Sequence, residues 1–208
     1  MKKPGSMKGL EEFGRVRLSQ NFFMREFLHS EIADFYRIPN IPDDPDLAIA
    51  AGTKLCEELL EPLQQAFGRI HIRSAYRNAA VNGFGNRHNL NCSSNKASCA
   101  DHIWDRRDAQ GFMGATATIV VPWAWDRRRE EGGWQSLAWW IHDHLPYASL
   151  CFFPKLWAVN IQWHEMPRRT IRSFAAPRGL LTKPGMANHE GSHADFYRGF
   201  PPGPEPKG

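Results

Sequence analysis

Near residue 68 the apolar pattern of this chain changes period, and that change sets what it can fold into. From about Leu47 to Phe67 the apolar residues recur at helical spacing, with Leu55, Leu59, Leu63 and Ala66 on one side. Pro62 inside that run predicts a kink, and Gly68 a stop. Beyond it, Ile70 and Ile72 alternate with polar residues in "RIHIRSAYR", which reads as a strand entering a loop. A chain that is helical first and strand-forming afterwards must pack its helices on a sheet.

The flanking segments fill in that outline. "NFFMREFLHSEIADFYRI" carries Phe23, Phe27, Met24 and Leu28 at helical spacing, with Asn21 as a cap, and "PNIPDDPD" breaks it. "ATATIVVP" (115–122) predicts a second strand, and "GGWQSLAWWIHDHLPY" an amphipathic helix. "SLCFFP" and "WAVNIQWHE" predict two more strands, joined as a hairpin through Pro154-Lys155. In the last, Trp157, Val159, Ile161 and Trp163 share one face; Ala158, Asn160, Gln162 and His164 share the other. The expected fold is α+β: two N-terminal helices, then a small, mostly antiparallel sheet with a packed helix. A flexible N-terminus (1–17) precedes this domain (18–171), and an extension with a proline-rich tail follows (172–208).

With 208 residues, 42% of them hydrophobic, the chain can bury one sizeable core. Its charge of +4 is spread thinly, and acids flank the one arginine run, Asp126 to Glu131, so a nucleic-acid partner is not expected. No apolar run is long enough to span a membrane. The opening lysines have no apolar segment behind them, so no secretory signal is read, and a cytoplasmic or phage-encoded protein is expected. Four cysteines are too few for a disulfide scaffold. Seven of the eight tryptophans fall after residue 120, a density expected chiefly to fill the core.

Three stretches invite a metal reading. "CSSNKASCADHIWD" (92–105) holds two cysteines, two aspartates and a histidine, but Cys-x6-Cys-x2-His is not a usual zinc spacing. His189-Glu190-Gly191-Ser192-His193 satisfies the His-Glu-x-x-His pattern, yet Gly and Ser are poor helix-interior residues, so a chance match in a loop is expected. His142 and His144, two apart on a helix, face different directions.

"LSQNFFMREFLHSEIADFYRIPNIP", the helix end "LLEPLQQAFG" and "IHIRSAYRNAAVN" together resemble the zinc D-Ala-D-Ala carboxypeptidases, peptidoglycan-cleaving enzymes of the group that includes lysostaphin and the hedgehog domain. The resemblance covers about residues 18 to 82 closely and rests on scattered motifs to about 165. It implies that fold, a murein-peptide or other peptide ligand, and a zinc held by a Ser-x-His-x-x-Gly-x-Ala-x-Asp stretch plus a histidine on a later strand. Aligning that aspartate with Asp101 puts Ser94 at the ligand histidine; aligning it with Asp105 puts Ser98 there. Asn160 stands at the strand histidine. Serine and asparagine are poor zinc ligands, so the leading expectation is a binding descendant without the usual metal. The alternative is an active zinc peptidase with displaced ligands, His102, Asp105 and His164 with Asp101 nearby, and Glu165 as base. By the same resemblance Arg77, Ser74 and Tyr76, with Asn160 and Gln162, would line the ligand site, and the Arg77 fork suits a terminal carboxylate.

Overall fold

The computed structural model of the protein describes residues 1–129 and 132–204. Glu130 and Glu131 of the charged run, and Glu205 with the rest of the tail, lie outside the described residues.

Three helical segments precede the long helical run. Helix α1 (Met7–Gly14) lies within the segment expected to be flexible; Ser6 caps it, and Phe13 on its inner side is fully buried. The helix expected over residues 21–38 is instead split into a single 3-10 turn, Met24–Phe27, and α2 (Glu31–Tyr36). Ser30 is the physical cause of the break: it is extended (φ −145°), and its hydroxyl accepts from the Ala33 amide as a cap. Asn21 caps neither piece; its backbone and side-chain amides both donate to Glu61.

The run read as one kinked helix comprises α3 (Pro45–Leu55), a π turn (Cys56–Leu60) and α4 (Glu61–Phe67). Pro62 cannot donate to the carbonyl four residues back, and one turn of wider winding absorbs the mismatch. Gly68 then leaves the helix at φ 75°, where a side chain would be strained.

Strand β1 (His71–Ser74) leads through α5 (Ala79–Arg87) and α6 (Asn95–Ser98) to β2 (Gly114–Val120). After α7 (Pro122–Asp126) and α8 (Gly133–His144) come β3 (Ser149–Phe152), β4 (Val159–His164), β5 (Thr170–Ser173) and β6 (Gly179–Thr182). These strands form one open sheet in the order β1-β2-β4-β3-β5-β6, antiparallel except for the parallel pair β3/β5.

Alternation divides the sheet into an apolar and a polar face. Ala115, Ala117, Ile119, Leu150, Phe152, Val159, Ile161, Trp163 and Ile171 are buried in the core. Each large side chain among them contributes about 1.5–3 kcal/mol by leaving water. Trp157, expected on this face, instead lies in a 3-10 turn before β4 with its ring against Trp125. On the polar face the register aligns Ser74, Thr118, Asn160, Cys151 and Arg172 in one row across five strands.

Most of the extension is folded onto this body. Beyond β5 and β6, a 3-10 turn (Ala194–Tyr197) packs on α8, where Ser136 Oγ donates to the Phe196 carbonyl. Trp140 Nε1 donates to the Pro201 carbonyl, and Phe200 meets Phe67 and Trp123. No helix among the described residues is long and apolar enough to cross a membrane.

Candidate functional site

A cleft of about 700 Å³ opens over the polar row. Its floor is Ser74, Thr118, Asn160 and Cys151; Arg73, Arg77, Asp101, His102, Glu31, Phe153 and Phe174 stand around it. The loop from Ser98 to Asp105 closes one side by backbone pairing. Thr116 N donates to the Asp101 carbonyl, and Ile103 N to the Ser98 carbonyl. Gly114 lets this loop approach β2, because a Cβ there would overlap the Ala100 carbonyl and press on His164.

His102 is the imidazole of this cleft. Its Nδ1 lies 2.7 Å from the Ala75 carbonyl, which can only accept, so that nitrogen carries the proton. Nε2 is then the acceptor, and the Asn160 amide donates to it at 3.4 Å. Asn160 is fixed in turn, because its Oδ1 accepts from Thr118 Oγ1 at 2.6 Å. Burial lowers the His102 pKa, and the Arg77 charge lowers it further against the opposing pull of Asp101. The ring is therefore neutral, with its lone pair directed at an amide.

Arg77 differs from the surface arginines. Its backbone amide donates to the His102 carbonyl, which places the side chain at the mouth of the cleft. Its Nε is buried and has no hydrogen-bond partner. No acidic group among the described residues comes within 4.0 Å of its guanidinium. Cys151 is a free, half-buried thiol; burial raises its pKa, with Arg172 opposing and Asp101 reinforcing the shift.

Ser74, Arg77, Asp101, His102 and Asn160 line this one cleft. The other expected residues do not. Tyr76 is fully buried in the core, its ring 6.0 Å from that of Trp104. Gln162 is buried as a strut, donating to the Ala100 carbonyl and accepting from Ser149 Oγ. Asp105 turns away from the cleft to accept from the Asp43 amide at 2.7 Å. His164 belongs to the far end of β4, with Nε2 3.2 Å from Asp108, and its neighbour Glu165 accepts from Met113 N. Glu165 lies just past the end of β4, and the Gln162–Ala100 contact lies on the strand between Asn160 and His164.

These positions do not make a zinc set. One imidazole nitrogen faces the cleft, while Asp101 Oδ1 and Asn160 Oδ1 already accept from Thr116 and Thr118. Of the two serines aligned with the family's ligand histidine, Ser98 lines the cleft and Ser94 caps α6 through its hydroxyl. Neither hydroxyl suits zinc.

A second group of ligand-type side chains, His142, Asp143 and His193, lies between α8 and the extension. It is satisfied internally. His193 Nδ1 meets Asp143 Oδ1 at 2.7 Å, its Nε2 meets the Asn188 carbonyl at 3.0 Å, and its ring lies 4.0 Å above that of Trp139. His142 is held by the Tyr147 hydroxyl and the His189 carbonyl. The His-Glu-x-x-His stretch itself is loop, so its histidines fasten the extension to α8.

Sequence reasoning missed Cys151, Phe153, Arg172 and Phe174. Two-residue alternation from Cys151 to Phe153 and from Arg172 to Phe174 was a usable signal, but the parallel β3/β5 pairing that sets them side by side leaves no local mark. Comparison with protein families, characterised proteins and solved structures finds no match to this chain.

Proposed function

We propose that the protein is a D-Ala-D-Ala-peptidase-like binding protein whose cleft holds a peptide by its terminal carboxylate, without zinc. The observation that carries this reading is Arg77: a half-buried arginine lining the cleft with no acidic group within 4.0 Å among the described residues, above a floor of neutral polar groups. A guanidinium at the mouth of a cleft with no acidic partner is where a bound carboxylate gains charge-assisted, fork-shaped hydrogen bonds. The neutral His102–Asn160–Thr118 chain supports it, since it presents fixed polar groups that carry no charge themselves, while the carboxylates of Glu31 and Asp101 stand around them. Asp101 is restrained beside them by Thr116.

Calorimetry with acetyl-D-Ala-D-Ala and its C-terminal amide tests the reading. The acid is expected to bind at least about 10-fold tighter than the amide, and Arg77→Met to abolish that difference. Chelator treatment should leave binding unchanged, and purified protein should carry well under one zinc per chain. Tight equimolar zinc whose removal abolishes binding would instead establish the displaced-ligand peptidase.

A further inference from the structure

Resting on the reading of the cleft as a peptide site, we infer that its far wall is a hydrophobic shelf selecting a ligand with a large apolar side chain. The shelf is the pair Phe153 and Phe174. Their rings are 5.7 Å apart and nearly parallel at 19°, an offset stack, and both line the cleft. Phe174 is 57% exposed, a large apolar surface left in water at the cleft.

The fold builds this pair deliberately on one side of the sheet. The parallel register sets Cys151 beside Arg172 and Phe152 beside Ser173. Phe174 N then donates to the Phe152 carbonyl, so the pairing continues one step past the strands. Phe152 and Ser173 turn inward and are buried, which turns Phe153 and Phe174 outward with Cys151 and Arg172.

Charge and shape narrow the ligand. Offset phenyl faces offer dispersion and edge contacts but no hydrogen bond, so they favour an aliphatic or aromatic side chain over a sugar hydroxyl face. Arg77 and the shelf stand on opposite sides of Asn160. Arg77 follows β1 and the shelf follows β3 and β5, so a ligand that reaches both crosses at least three strand spacings, roughly 14 Å, or about four extended residues. The ligand class that fits is a short peptide with a free carboxylate and a bulky apolar residue two or three positions before its end.

The test uses the full chain and three peptides with free carboxylates, acetyl-Phe-Ala-Ala-Ala, acetyl-Ala-Phe-Ala-Ala and acetyl-Ala-Ala-Ala-Ala, in L and D series. At least one phenylalanine peptide is expected to bind about 10-fold tighter than the all-alanine one. Phe174→Ala and Phe153→Ala should each erase most of that preference. Because Phe174 is exposed, its truncation also leaves the fold intact, to be checked by the melting temperature. If all three peptides bind alike, or the preference survives both substitutions, the shelf is overturned and the carboxylate reading stands. If no peptide binds, both fall.

Discussion

Asp105 is a carboxylate whose surroundings work against its charge. Burial raises its pKa, and hydrogen bonding from the Asp43 amide only partly offsets this. The Tyr76 hydroxyl lies against it, yet neither that hydroxyl nor Asp105 Oδ1 completes an aligned hydrogen bond. A carboxyl with a folded pKa above its unfolded value of 3.8 destabilises the fold at neutral pH and ceases to do so as pH falls through the folded value. Asp105→Asn is therefore expected to be neutral, or to stabilise by up to about 1 kcal/mol, at pH 7, with the gain disappearing towards pH 3.8. Asp105→Ala instead strips the Asp43 amide of its partner and should cost about 1–3 kcal/mol. Urea denaturation of the two variants at both pH values measures this, and an Asn variant as damaged as the Ala variant would refute it. What the sequence tells about such residues depends on how local their partners are. Asn160 was placed by strand alternation, which is local. Asp105 and His164 were misplaced because their partners, Asp43 and Asp108, are chosen by how one loop folds over β2.

At the scale of elements, the cleft edge is set by one capping residue. Asn78 Oδ1 accepts from Val81 N at 2.9 Å and starts α5, while its Nδ2 donates to the carbonyls of Pro39 and Ile41. Its own amide donates to Asn40 Oδ1, and Asn40 Nδ2 donates back to the Tyr76 carbonyl. The proline-rich loop and the turn carrying Arg77 are thus locked together by two asparagines. Aspartate is as good a cap as asparagine, so on cap propensity alone Asn78→Asp would be silent. Here it turns an oxygen towards two carbonyls and should cost about 2–3 kcal/mol, more than Asn78→Ser, which keeps the cap at about 1 kcal/mol. Thermal denaturation ranks the pair; the reverse order would mean that the loop contacts are unimportant. Elements with a long regular pattern, such as α3, α8 and β4, were legible in the sequence because periodicity is a local property. The break at Ser30 was not: the apolar spacing continues across it, and burial of Met24 and Phe27 against the core decided the matter.

For the whole molecule, the question is how residues 179–204 stay attached to α8 and to the sheet edge. Apart from β6, the attachment is through side chains: His193 and Tyr197 to Asp143, His193 stacked on Trp139, and His142 to the His189 carbonyl. Burial raises the Asp143 pKa, but the hydrogen bonds from His193 and Tyr197 outweigh it and leave the carboxyl below 3.8. Burial lowers the His142 pKa below 6.5, opposed by the His189 carbonyl and aided by Arg169 and its histidine neighbours. Both groups have depressed folded values, so each supplies stability above its unfolded pKa that is lost as pH falls through the folded one. His102 in the cleft has the same sign for the same leading reason, burial. Two acid steps should follow. The first begins below about pH 6.5 as His142 and His102 take up protons, and the second below about pH 3.8 as Asp143 does. His142→Gln keeps a side-chain donor for the His189 carbonyl and cannot charge, so it should weaken the first step and leave the second in place. Melting temperatures from pH 8 to pH 3 for wild type and this variant decide the point. A wild-type curve flat between pH 7 and pH 5 would mean that neither buried histidine is held neutral by the fold, and that the extension is fastened by apolar contacts such as Phe200 on Phe67 alone.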